Sequence, residues 1–145
     1  MTVHLIKLCV GVSTPEELAG FWRERVAALR RGEKGVRTWH LTRHAPRRQD
    51  EVLDGGSLYW VVKGYVQARQ LITDLEARTG EDGGKRCAIH LDPVVVRTVA
   101  VPWRPFQGWR YLDPTKAPPD LDAQGGEIGD MPPEMVAELR ELGLV

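Results

Sequence analysis

Leu58-Tyr59-Trp60-Val61-Val62-Lys63-Gly64-Tyr65-Val66-Gln67-Ala68-Arg69-Gln70-Leu71-Ile72 is the stretch on which the fold turns. The aromatic and β-branched residues from Leu58 to Val62 suit a pleated, buried surface, so they read as a strand. Asp54-Gly55-Gly56-Ser57 ahead of it has the composition of a turn. Lys63-Gly64 interrupts the run. From Tyr65 to Arg78 the apolar residues Ala68, Leu71, Ile72 and Leu75 recur at helical spacing, which predicts a helix. A strand, a Lys-Gly turn, a helix and a further strand would form a parallel crossover.

Upstream, Val3 to Val10 reads as a strand ended by Gly11. Ser13-Thr14-Pro15-Glu16-Glu17 then supplies a hydroxyl cap, a proline at the first helical position and acids in the first turn. Leu18, Phe21, Trp22, Val26 and Leu29 continue as an apolar stripe up to Gly32, so a helix is expected there. Val36 to Arg43 alternates like a strand, with Arg37, Trp39, Leu41 and Arg43 on one face. Leu41 on that face points to core packing for Trp39. Pro46 and two arginines mark a loop.

Downstream, Gly83-Gly84 turns the chain into a strand at Cys87–Leu91, followed by another at Val94–Val101. Pro102 and Pro105 bracket Trp103-Arg104, and Phe106 to Leu112 reads as one more short strand. From Asp113 to Pro133 the chain is rich in proline and poor in periodicity, which predicts an extended segment wrapping the body. Pro132-Pro133 opens an expected last helix, with Val136, Leu139 and Leu142 apolar and Gly143 as its stop. These elements predict an α+β domain over residues 1–112 and a Pro-rich acidic wrapping segment over 113–145. The sheet is expected to be mixed or mainly antiparallel, curled towards a pseudobarrel, with two packed helices and a short C-terminal one.

At 145 residues the chain buries roughly 70% of its unfolded surface, enough for one core without cross-links. No run approaches the ~20 apolar residues of a membrane span, and the first residues lack a signal-peptide pattern. A cytoplasmic protein with no membrane partner is therefore expected. Cys9 and Cys87 lie far apart inside apolar runs and read as reduced, buried thiols. No paired Cys-x-x-Cys spacing is present, so neither a metal nor another cofactor is expected. The formal net charge of zero hides an asymmetry. Residues 1–112 hold 18 Lys and Arg against 12 Asp and Glu, whereas residues 113–145 hold 2 against 8. Lys34 to Gln49 and Pro93 to Leu112 carry no acid at all. This is the pattern of an anion-binding body with an acidic tail, or of an ordinary solvated surface.

Three constellations carry candidate chemistry. Lys63-Gly64 at a helix start would offer free N–H groups and a cation to a phosphate or carboxylate, or be a structural glycine in a tight turn. Arg37, Trp39 and Arg43, with Arg47 and Arg48, combine guanidinium forks with an indole. In Trp103–Tyr111, Trp103, Phe106, Trp109 and Tyr111 interleave with Arg104 and Arg110. That segment reads either as a platform for flat anionic ligands or as an aromatic lid over the core. His40 and His44 are candidate proton carriers without a partnered nucleophile. Ser57 does not sit in a G-x-S-x-G elbow.

The run Leu53–Gly64 followed by Arg69-Gln70, Arg86-Cys87-Ala88, Leu91-Asp92-Pro93 and Arg104–Leu112 resembles a small alphaproteobacterial family, catalogued only as a domain of unknown function. His4–Gly11 and Ala117–Leu121 resemble it too. The resemblance implies a bacterial, cytosolic source and no particular activity. The Thr38–Gly64 stretch is more distantly similar to pseudobarrel domains of the PUA and ASCH type. That similarity implies RNA or modified nucleic acid held in a cleft between barrel and helices, with Arg43, Lys63 and Trp60 nearby.

The expectation is a nucleic-acid-binding domain, with RNA or another phosphate-bearing ligand as partner. Arg37, Arg43, Lys63, Arg104 and Arg110 would meet phosphates while Trp103 and Trp109 stack. Two alternatives stay open: an enzyme for a nucleotide-like or anionic small molecule using Lys63 with His40 or His44, and a protein-interaction module built on the acidic end.

Overall fold

The structure, a computed structural model, describes residues 1–121. In it Lys63-Gly64 is a two-residue hairpin turn and not a helix start. Lys63 (φ 50°) and Gly64 (φ 85°) both take positive φ, the combination that lets a tight turn follow the twist of its strands. Val62 therefore pairs with Tyr65, and the chain returns antiparallel as a strand. The helix expected over Tyr65–Arg78 is replaced by a strand over Tyr65–Thr79. Gln, Ala, Arg, Leu and Glu made this segment a good helix former, and pairing with three neighbouring strands overrides that local preference.

In chain order the elements are β1 (His4–Leu8), α1 (Pro15–Arg30), β2 (Trp39–Thr42), α2 (Gln49–Val52), β3 (Ser57–Val62), β4 (Tyr65–Thr79), β5 (Lys85–Leu91), β6 (Val96–Pro102) and β7 (Trp109–Leu112). They make an α+β fold with an open, mostly antiparallel seven-stranded sheet, ordered β2-β5-β4-β3-β1-β7 with β6 added against β4. The one parallel pair is β1 with β3, Leu5 standing beside Leu58, so the crossover lies upstream of the Lys63-Gly64 turn. Two helices are present, but the second is the short α2 in the stretch expected to be loop.

β4 is the spine. Its first half pairs with β3 and β6, its second half with β5. Register shifts at Trp60/Val61, Val66/Ala68 and Ile72/Asp74 bend the ladder, because an extra residue on one strand raises the local twist. The curl brings the two outer strands towards each other. Trp109 Nε1 at the start of β7 donates to the carbonyl of His44, just past β2, at 2.7 Å. The Tyr111 hydroxyl accepts from the backbone N–H groups of Arg47 (2.9 Å) and Arg48 (3.1 Å).

Inside the curl, Leu5, Leu58, Trp60, Val62, Ile72 and Ile89 form the main core, closed by Leu18 and Trp22 of α1. α1 starts where expected: the Thr14 hydroxyl accepts from the Glu17 N–H at 3.1 Å, with Pro15 in the first turn. The other sheet face carries a second cluster of Ile6, Tyr59, Val61, Val66 and Leu112. The start of the acidic segment reaches across the body, where Arg69 grips Asp120 through two bonds of 2.7 and 2.8 Å. The expected helix from Pro132 lies outside the described residues. Among the described residues no helix is long and apolar enough to cross a membrane. Nor do three or more His, Cys, Asp or Glu gather there as a metal site.

Candidate functional site

Alternation along β1 gives the site its first cation. Leu5 points into the core, so Lys7, two residues on, points the same way at the open end of the curl. On β2 the inward parity belongs to His40 and Thr42, which stand beside Ile89 and Cys87. Trp39 and Leu41 take the other face. Trp39 therefore belongs to neither core cluster, contrary to expectation; it lies against the His90 ring (5.5 Å) and under the Arg78 guanidinium (4.1 Å). The reason is positional, since β2 ends the sheet and its outer face lacks a covering layer.

α1 closes the open end with Phe21, Trp22 and Arg25. The Arg25 guanidinium lies over Phe21 at 4.2 Å and Trp22 at 5.1 Å, and donates to the Arg37 carbonyl at 2.7 Å. Between α1, β1 and β2 is a cavity of about 360 Å³ lined by Lys7, Cys9, Trp22, Arg25, His40 and Trp60, among others. His40 stands edge-on to Trp60 at 5.2 Å. Trp60 itself is held, its indole N–H donating to Gln70 Oε1 at 2.9 Å while the Gln70 amide donates to the Asp92 carbonyl at 3.0 Å. His40 Nε2 is shut off from solvent without a hydrogen-bond partner.

The electrostatics follow from that enclosure. Burial, and then the charges of Lys7 and Arg25, push the His40 imidazole down to about 4, so it is neutral at pH 7. Burial pushes the Cys9 thiol up to about 11 against the opposing pull of Lys7. A thiol held that high is no nucleophile at neutral pH.

Two grooves continue the cavity. One of about 350 Å³ shares Lys7 and is lined by Thr42, Arg43, His44, Gln107 and Trp109. The next, about 500 Å³, shares Arg43 and His44 and adds Arg78, Lys85 and Arg86. Six cations line this chain of hollows and no acid does. Arg78 and Arg86 have carboxylate partners outside the lining, Glu76 at 3.1 Å and Asp82 at 2.9 Å. Arg43 and Lys85 make no ion pair among the described residues. A larger groove of about 780 Å³ lies between the back of α1 and Pro93–Val95, with arginines but neither aromatic nor histidine in its lining.

Of the residues singled out from sequence, Arg43, Trp109, His40 and His44 come together here. Arg37 lies beside Glu24 and Glu33 in a separate hollow of about 450 Å³. Lys63 is exposed at the tip of the β3–β4 hairpin, so the anion site expected at a helix start there has no helix. The aromatic segment divides between two faces. Trp109 packs against the main core, whereas Trp103 and Phe106 cover the second cluster. Arg110 faces with Ile6 and lies over Phe106 at 5.2 Å, and Arg104 is exposed in the loop between. Sequence reasoning missed Lys7, Arg25, Arg78, Lys85 and Arg86. For the first two a signal existed: Lys7 shares its parity with Leu5, and Arg25 sits on the apolar stripe one turn from Phe21 and Trp22.

A family model described as a protein of unknown function, DUF1489, matches residues 5–145, so the chain belongs to that family. No curated protein and no solved structure matches it.

Proposed function

We propose, since membership of that family brings no activity with it, that this chain binds single-stranded nucleic acid, RNA foremost. The strand lies along the hollows that run from Lys7 past Arg43 to Lys85. The observation that carries the reading is the lining itself, where Lys7, Arg25, Arg43, Arg78, Lys85 and Arg86 converge without an acid and Trp39, Trp60 and Trp109 are interleaved. Cations spaced along a groove neutralise successive phosphates, and indoles accept bases without demanding a sequence. The opposite face offers Arg104 and Arg110 with aromatics already packed on the core, which leaves them less to give a base.

Gel-shift titration of the purified chain against a single-stranded RNA at two salt concentrations tests this. Binding is expected to weaken steeply as salt rises. An Arg43→Ala, Lys85→Ala double variant loses roughly tenfold or more, and an Arg104→Ala, Arg110→Ala variant binds like the parent. The reverse order of the two variants would move the interface to the Trp103 face. Absence of binding at low salt would end the nucleic-acid reading.

A further inference from the structure

We propose that the cavity between α1, β1 and β2 holds one nucleotide unit, its base against Trp60 and His40 and its phosphate near Lys7 and Arg25. The inference deepens the nucleic-acid reading and rests on it for the chemical class of ligand.

Size comes first. A cavity of about 360 Å³ lies at the low end of the ~300–1,000 Å³ typical of small-ligand pockets, so it fits one flat unit and no duplex. Its walls are unusually aromatic, with Phe21, Trp22, Trp39 and Trp60 all contributing. Because Gln70 takes up the Trp60 N–H, that indole meets a ligand with its apolar surface only. Two cations, Lys7 and Arg25, stand in the lining without a carboxylate, which selects for negative charge.

The third requirement comes from His40. Its Nε2 is sealed and unpartnered, and a buried polar atom left this way costs free energy until something pairs with it. A neutral imidazole, donor or acceptor by tautomer, pairs with the polar edge of a heterocycle. Flat, anionic and bearing hydrogen-bonding ring atoms together describe a nucleotide. Inorganic phosphate meets only one of the three requirements and an uncharged aromatic only another. The same chemistry arrives either as a free nucleoside monophosphate or as an unstacked residue of a strand whose neighbours lie in the Arg43 groove.

The test uses the full chain with each of the four nucleoside 5′-monophosphates, with inorganic phosphate, and with a short single-stranded RNA. It reads indole fluorescence together with the NMR resonances of the His40 ring. A nucleoside monophosphate is expected to shift the His40 signals and quench the indoles. Phosphate alone should bind at least roughly tenfold more weakly, and Lys7→Met should weaken the nucleotide by a similar factor. His40 signals unmoved at millimolar nucleotide, or equal responses to nucleotide and phosphate, would overturn the inference without any variant having to fold. RNA that binds while mononucleotides do not would sink the pocket and leave the strand reading standing. Mononucleotides that bind while RNA does not would sink the strand reading and leave a pocket for the free nucleotide.

Discussion

His40 is a histidine on the inward parity of an end strand, where an ordinary sheet would place Val or Ile. Its depressed folded-state value sets a pH window. The unfolded chain binds a proton there near pH 6.5 and the folded chain only near 4, so stability is full above pH 6.5 and falls as pH drops between them. The difference corresponds to roughly 3 kcal/mol at most. Thermal melts from pH 7 to pH 4 should show a falling Tm, and the fall should be shallower for His40→Gln. A parallel fall in both proteins would mean that His40 is not the group responsible. His4, lowered by burial and by Arg69, pulls in the same direction and is left unchanged in that comparison.

Gly56 is a second residue whose identity the packing dictates. A Cβ built there would lie 2.5 Å from the Val3 carbonyl oxygen and closer still to that of Val52. Both neighbours are backbone. Gly56 N–H donates to the Val52 carbonyl at 3.0 Å, and Val3 N–H donates to Glu51 at 3.2 Å, so α2 clips the start of β1 to the start of β3. Gly56→Ala is expected to cost about 2 kcal/mol or more in denaturant unfolding. A neutral result would show that this clip yields easily.

Among the elements, the β3–β4 hairpin decides the most. Gly64 holds φ 85° without crowding, so the cost of Gly64→Ala lies in the backbone alone, about 1–2 kcal/mol. Lys63 at φ 50° occupies a position that asparagine tolerates better. Lys63→Asn should therefore raise the midpoint of unfolding slightly while leaving RNA binding intact. A loss of RNA binding on Lys63→Asn would return the hairpin tip to the interface. α1 behaves differently, because its cap, first-turn proline and apolar stripe all agree before any tertiary contact is made.

Across the whole molecule, the closing contacts of the curl are few and polar. Trp109 to His44 and Tyr111 to Arg47 and Arg48 join the outer strands, while Asp120 ties the following segment to Arg69 on β4. The pair is partly exposed (24% and 37% of the two side chains), so the tie is worth about 1 kcal/mol and not more. Asp120→Ala should lower stability by that amount and raise proteolytic cutting after Leu112. An unchanged cleavage pattern would show that Val99 N–H, bonded to the Pro119 carbonyl at 2.9 Å, suffices to hold the segment.

The sequence by itself determined those parts whose signals are local. Thr14-Pro15-Glu16-Glu17 set the start of α1, alternation marked β1 and β2, and β-branched runs marked β3, β5 and β6. Those elements were enough to give the α+β class. Arg43 and Trp109 were legible as residue types suited to an anionic, aromatic ligand. Tertiary structure alone decided the identity of β4, because Tyr65–Thr79 fits both periods and only its strand partners arbitrate. It also decided which cations meet. Lys7, Arg25, Arg43 and Lys85 are scattered along the chain, and it takes the bend of β4 and the curl of the sheet to gather them around one chain of hollows. Trp103 and Trp109 illustrate the converse: neighbours in sequence, they pack on opposite faces of the sheet, and no local signal separates them.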